Sequence, residues 1–208
     1  MHDILEQYKD TVAAQLYGHT HYDEFHIFND RATNTKPFSV ALIPGSLTTY
    51  QNFNPSFRVY TYNRTSGSIL DWQQYTANVT EANLNGYADW APTYTPLTTY
   101  GFNALAPGDF QNFISRMQTN DTLFNEFAFN AYRNDWGSVL FMRTLLQSLA
   151  LVLHAINRLP ILKILCFTIC FASPCTGKCK KSLLCRAATA NNDLYKQVRI
   201  SALCVRPP

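Results

Sequence analysis

Gly18-His19-Thr20-His21-Tyr22-Asp23-Glu24-Phe25-His26-Ile27-Phe28 is the stretch on which the reading of this chain turns. Its second half alternates like a β-strand, while its first half sets two histidines at i and i+2 behind a glycine. From a regular strand such a pair does not chelate one ion. A turn after a strand end can instead aim both rings toward a pair of metals, for which imidazole suits zinc; a chance pair of histidines is the other reading of the dipeptide alone. A glycine before the first histidine is expected to let the backbone turn tightly.

Outward from this stretch, Ile4, Leu5, Tyr8, Val12 and Leu16 fall at helical spacing, which predicts a helix over 4–16 ending before Tyr17-Gly18. Downstream, β-like runs at Phe38–Ile43, Phe57–Tyr62 and Ile69–Tyr75 are separated by turn formers: Asn29-Asp30, Asn52 to Pro55 and Ser66-Gly67-Ser68. This first third reads as a sheet edge, not a complete sheet. From Asn78 the character changes: Asn78–Asn83 suits a helix or turn start, and Thr93–Gly108 reads as a Pro- and Thr-rich connection. Asp109 is expected to cap a helix through Met117, and Asn120 or Asp121 another with Leu123, Phe124, Phe127 and Tyr132 on one face.

The 208 residues are 47% hydrophobic and 15% charged, the balance of a folded protein rather than a disordered one. A formal charge of +3, scattered along the chain, gives no footprint for nucleic acid. The start, Met1-His2-Asp3, lacks the basic and apolar regions of a signal peptide. Yet Asn63, Asn78 and Asn120 each begin an N-x-S/T sequon, and all six cysteines lie between 166 and 204. Together these favour an oxidising, secretory-route compartment, so the chain is expected to have lost its beginning. Residues 138–172 are strongly apolar but interrupted by Arg143, Arg158 and Lys163, so neither half reaches the ~20 apolar residues of a spanning helix. A buried helical hairpin broken at Pro160, a membrane-surface segment and a non-native insertion all remain open for it.

The Gly18-His19-Thr20-His21 motif followed by Tyr22-Asp23-Glu24-Phe25 resembles the last metal motif of calcineurin-like metallophosphoesterases, and its D-E-F continuation resembles the acid sphingomyelinase branch. The resemblance extends through Tyr8–Tyr17, Pro37–Ala41, Pro44–Tyr50 and Asn54–Tyr60. It implies an α/β fold in which 1–77 are closing strands of a metallophosphatase β-sandwich. It implies that 78–208 form a disulfide-containing helical C-terminal region, with 138–172 as an apolar insertion. In that family two zinc ions share a bridging aspartate, so His19 would bind one zinc and His21 the other. Water or hydroxide between the metals attacks phosphorus, and sphingomyelin yields ceramide and phosphocholine. Tyr50 would line the phosphocholine end, where a quaternary ammonium is drawn to an aromatic face; a core tyrosine is the other reading.

Four cysteines, Cys175, Cys179, Cys185 and Cys204, are similar to the ending of the family, where neighbours in sequence pair, implying Cys175–Cys179 and Cys185–Cys204. A zinc knot is the competing reading, but no C-x2-C pair supports it. The departure from the family is large: its upstream D-x-H, G-D-x-x-D and G-N-H-E motifs and a further histidine do not occur, and His2, His26 and His154 match no motif position. The resemblance therefore implies a C-terminal fragment of a secreted or lysosomal zinc phosphodiesterase, inactive as this chain alone. It would act on sphingomyelin or a related phosphodiester lipid at a membrane surface. The alternatives are a non-catalytic lipid-surface or structural protein that retains the lobe, and a related phosphodiesterase with nucleotide substrates.

Overall fold

The structure, a computed structural model, describes residues 1–135 together with Lys180 and Leu184. The expectations for 138–172, for His154 and for Cys175, Cys179, Cys185 and Cys204 fall outside the described residues. What is described is mixed α/β, built on two three-stranded sheets.

The first sheet holds β1 (Gln15–Leu16), β2 (Glu24–Asn29) and β3 (Pro37–Ile43) in the order β1-β3-β2. The β2–β3 hairpin is antiparallel, with Phe25 opposite Leu42 and Ile27 opposite Val40. Asp30 shapes its loop by accepting from the backbone N–H groups of Thr33, Thr35 and Lys36 at 2.9, 3.0 and 2.7 Å. Such local side-chain bonding is why Asx residues make turns. The second sheet holds β4 (Ser56–Tyr62), β5 (Ile69–Ala77) and β6 (Trp90–Tyr94), all antiparallel. Its β4–β5 turn places Gly67 at φ 72°, a conformation that favours glycine.

Two expectations change here. The helix predicted over 4–16 is only α1 (His2–Gln7), and Gln15–Leu16 instead pairs in parallel with Ala41–Leu42 of β3. The apolar spacing there serves two separate elements joined by turns at Tyr8, where Thr11 and Val12 donate to its carbonyl. The Thr93–Gly108 connection likewise contains the end of β6 and a short helix, α3 (Pro96–Thr99), after α2 (Val79–Asn85).

Two longer helices, α4 (Pro107–Thr119) and α5 (Asp121–Ala131), follow. Asp109 caps α4 from the third helical position rather than from the N-cap: Pro107 opens the helix, and the Asp109 carboxylate reaches back to accept from the Ala106 N–H at 3.0 Å. Proline suits that first position because its missing N–H would be unpaired anyway. Asn120 caps α5 through the Leu123 N–H at 3.0 Å, and Leu123, Phe124 and Phe127 are buried as their spacing predicts. Asn120→Ala is expected to cost about 1 kcal/mol in urea unfolding of unglycosylated protein, the usual loss for an N-cap.

The core is aromatic and crosses the boundary at residue 77. Phe25 of β2 meets Phe110 and Phe127 at ring-centroid distances of 4.9 and 5.7 Å, and Phe113 of α4 meets Tyr100 and Phe102 at 4.9 and 5.0 Å. Leu184 joins the same cluster. Phe25, Trp72 and Tyr94 place β2, β5 and β6 in this cluster, Phe25 next to the start of β2 and the turn that precedes it.

Candidate functional site

The β1–β2 connection carries His19 at φ 87° and His21 at φ 65°. Left-handed backbone is uncommon outside glycine, although histidine is among the residues enriched there, and such conformations collect at functional sites. Gly18, by contrast, does not adopt positive φ, and a Cβ added to it would meet nothing within 4 Å. The tight turn is therefore made by the two histidines, not by the glycine before them. Gly18→Ala is accordingly expected to leave the urea midpoint unchanged or slightly raised, through the lower entropy of the unfolded chain.

His19 is exposed and His21 half-buried. The His21 Nδ1 is buried with no hydrogen-bond partner, and its ring stands edge-on to Tyr50 at 5.4 Å. Tyr50 opens a single 3-10 turn, Tyr50–Asn52, and remains 67% exposed. The structure thus brings His21 and Tyr50 together from 29 positions apart, and leaves the phenol open to solvent. A core role for Tyr50 does not fit that exposure.

Beside the turn sits a buried polar cluster built on Asp23, whose carboxylate acts as a structural acid. The Arg58 guanidinium pairs with the Asp23 carboxylate through Nη2 and Oδ1, and donates from Nε to the Gln74 Oε1 at 2.8 Å. The Tyr94 hydroxyl donates to the second Asp23 oxygen at 2.6 Å and accepts from Arg58 at 2.8 Å. Arg58 also lies 4.1 Å over the Trp72 ring. Both charged side chains are almost fully buried, at 1% and 6% exposure. The Asp23 N–H donates to the Ala131 carbonyl at the end of α5, so the turn is tied at its exit to a strand and to a helix. The one sequence signal was an arginine on the same strand face as Tyr60, in an otherwise half-buried run.

Burial raises the Tyr94 and Tyr100 phenols well above the usual value near 10, with the Asp23 charge adding to the effect and Arg58 opposing it. A raised pKa in the folded state means that the folded chain holds its proton where the unfolded chain releases it. That share of stability is complete below about pH 10 and is lost as pH rises beyond it. Urea midpoints measured from pH 8 upward should therefore fall past pH 10, and Tyr94→Phe should flatten the fall.

Among the described residues no group of three or more His, Cys, Asp or Glu side chains is placed to hold a metal ion. Asp23 is committed to Arg58 and Tyr94, while the His26 Nε2 lies 3.8 Å from the Glu24 carboxylate and the His2 Nε2 2.9 Å from the Asn29 carbonyl. The unpartnered Nδ1 of His21 and the open His19 fit the role of two imidazole ligands within a larger set, since zinc sites take nitrogen donors but need three or four ligands. The three sequon asparagines are exposed: Asn63 in the β4–β5 turn, Asn78 and Asn120 as the caps of α2 and α5.

Comparison with known proteins decides the family. The family model for the acid sphingomyelin phosphodiesterase C-terminal region matches residues 34–138. The chain belongs to the acid sphingomyelinase family. It is 40% identical over 124 residues to sphingomyelin phosphodiesterase A of Dictyostelium discoideum, covering 60% of this chain and 21% of that protein. It is 39% identical over 131 residues to the human sphingomyelin phosphodiesterase, covering 61% and 21%. A human protein named cyclic GMP-AMP phosphodiesterase SMPDL3A is 36% identical over 109 residues, covering 50% and 24%. The chain therefore spans about a fifth of the length of the acid sphingomyelinase relatives that it matches. The relatives are phosphodiesterases by name, so the family is one of hydrolytic enzymes. No helix among the described residues is long and apolar enough to cross a membrane.

Proposed function

We propose that this chain is the C-terminal part of a zinc-dependent phosphodiesterase that cleaves sphingomyelin to ceramide and phosphocholine. The observation that carries this is the pairing of an exposed Tyr50 ring with His21 at 5.4 Å, on a turn whose two histidines both take left-handed backbone. His19 and His21 would each hold one of two zinc ions, and the remaining ligands would come from the family's D-x-H, G-D-x-x-D and G-N-H-E motifs, which do not occur in this sequence. The chemistry that two zinc ions supply when bound is polarisation of phosphoryl oxygens and activation of water near neutral pH. What this chain contributes is orientation: the turn fixes both imidazoles, and the Tyr50 face receives the trimethylammonium end of the substrate. A choline lipid is preferred to a nucleotide because the Dictyostelium sphingomyelin phosphodiesterase A and the human sphingomyelin phosphodiesterase match at higher identity over longer stretches than the human cyclic GMP-AMP phosphodiesterase.

The remaining parts of the reading are supported by the family resemblance and, for the glycans, by the sequons. They are a secreted or lysosomal setting, action at a membrane surface, glycans on Asn63, Asn78 and Asn120, and the Cys175–Cys179 and Cys185–Cys204 disulfides.

The test is direct. Residues 1–208 with zinc should hydrolyse no sphingomyelin, because two imidazoles do not complete the site, yet should bind phosphocholine. Tyr50→Leu should weaken that binding about 2- to 5-fold, the worth of a cation–π contact at an exposed ring. Robust zinc-dependent turnover by 1–208 would remove the fragment reading, and unchanged phosphocholine affinity would remove Tyr50 from the substrate site.

A further inference from the structure

Arg133 follows the last helical turn of α5 and is 1% exposed. Its backbone is left-handed, at φ 56°, as is that of Asn134 at φ 57°. Helix ends of this kind ordinarily use glycine, so a buried arginine here runs against the local backbone preference. The conformation is held by the helix end, where the Arg133 N–H donates to the Asn130 carbonyl at 2.9 Å and the Asn134 N–H to the Phe129 carbonyl at 3.0 Å, and from outside by the Asn54 side-chain amide, which donates to the Arg133 carbonyl at 3.2 Å and to that of Asn134 at 3.4 Å.

The side chain has a single destination. Its Nη1 donates to the carbonyls of Ser46 and Thr48 at 2.9 and 2.7 Å, and its Nη2 donates to the Tyr50 carbonyl at 3.0 Å. Its plane lies 5.0 Å over the Phe53 ring, and its stem passes so close to Gly45 that a Cβ there would sit 2.8 Å from Cδ. Three alternate carbonyls of one loop thus converge on one guanidinium, whose rigid fork suits that arrangement and whose charge persists through burial. The loop carries only one large ring at its end, Tyr50, and that ring rests on His21.

We propose that Arg133 is a positioning residue that folds the 46–50 loop around its guanidinium and so sets the Tyr50 ring against His21. The inference deepens the reading of Tyr50 as the choline-facing residue and rests on it for its functional meaning. It gives the end of α5 a task at the site: a helix that touches neither reacting atoms nor metal fixes the residue that does touch the substrate.

Arg133→Gly separates this from a purely local role. If residue 133 only ended the helix, glycine would relieve the left-handed backbone and leave the loop alone. The proposal expects the opposite: in Arg133→Gly and in the volume-matched Arg133→Met, the amides of 47–52 exchange with deuterium at least tenfold faster. In the same variants the His21 ring protons lose the ring-current shift given by Tyr50, reaching the position seen in Tyr50→Leu. The resonances of Phe113 and Tyr100 in the core stay in place. Arg133→Lys, which retains a charged donor, should recover part of both effects, and it serves as the reading if either larger change prevents folding. Unchanged loop exchange with an unchanged His21 shift in any folded variant would overturn the proposal. Phosphocholine titration of the wild type is the separate arm: absence of binding with the Arg133 effects intact would remove the substrate reading and leave the positioning role standing.

Discussion

Replacing Arg58 with methionine is expected to lower the unfolding free energy by about 3–5 kcal/mol, because it strands the Asp23 carboxylate in a site from which water is excluded. The Asp23 side chain is 6% exposed, and its other partner, the Tyr94 hydroxyl, cannot neutralise a charge. The loss is a large fraction of the 5–15 kcal/mol typical of a whole domain. The pair itself is a different matter. Two charges taken from water together recover little net energy, so the double change Arg58→Met with Asp23→Leu should cost clearly less than Arg58→Met alone. Urea unfolding of the two variants measures both quantities. A single-variant loss under about 1 kcal/mol would mean that water reaches Asp23 and that the cluster is not the rigid base of the histidine turn.

Phe113→Ala is expected to cost about 3–5 kcal/mol, the range for deleting a buried aromatic ring. Phe113 is 1% exposed and touches the rigid rings of Tyr100, Phe102 and Phe127 at 4.9, 5.0 and 5.7 Å, which limits how far the space can close. The two changes differ in what they should do to the site. Phe113 lies between α4 and α5, away from the turn, so partial ligand binding should survive in whatever fraction stays folded. Loss of Arg58 instead acts on Asp23, two residues beyond His21, and should blur the His19 and His21 resonances even in folded protein. Comparison of imidazole spectra in the two variants under native conditions checks the difference.

How much of this was open to reading depended on how local each signal was. The strands β2, β3, β4 and β5 were legible because Phe25–Phe28, Phe38–Ile43, Phe57–Tyr62 and Ile69–Tyr75 are runs rich in apolar, aromatic and β-branched residues closed by turn formers. The helix α5 was legible through Asn120 and the spacing of Leu123, Phe124 and Phe127. By contrast β1 is two residues long and is defined only by its pairing with Ala41 and Leu42. The edge strand β6 is mostly exposed and contains Pro92, so neither periodicity nor propensity marked it.

The site divides the same way. His19 and His21 stood out because the motif is contiguous, while the feature that turns them, positive φ at both, belongs to no sequence rule that would have passed over Gly18. Arg58 was in plain view within the strand it occupies, yet its value depends on Asp23, Gln74 and Tyr94, which arrive from three other places in the chain. Arg133 is more remote still, 83 residues from the carbonyl of Tyr50 that it binds. Charged residues whose partners lie on other elements are invisible to a window that slides along the chain. Their burial is the only clue, and burial is a property of the fold.

The account rests on the histidine turn as a metal-facing element, and a zinc titration of residues 1–208 followed through the imidazole carbon–proton resonances tests it most directly. The predicted result is that the His19 and His21 signals shift or broaden first, while His26, whose Nε2 is buried 3.8 Å from the Glu24 carboxylate, and His2, bonded to the Asn29 carbonyl, stay in place. Movement of His26 or His2 ahead of an unmoved His19 and His21 would contradict the assignment and with it the placing of this chain at a zinc phosphodiesterase centre.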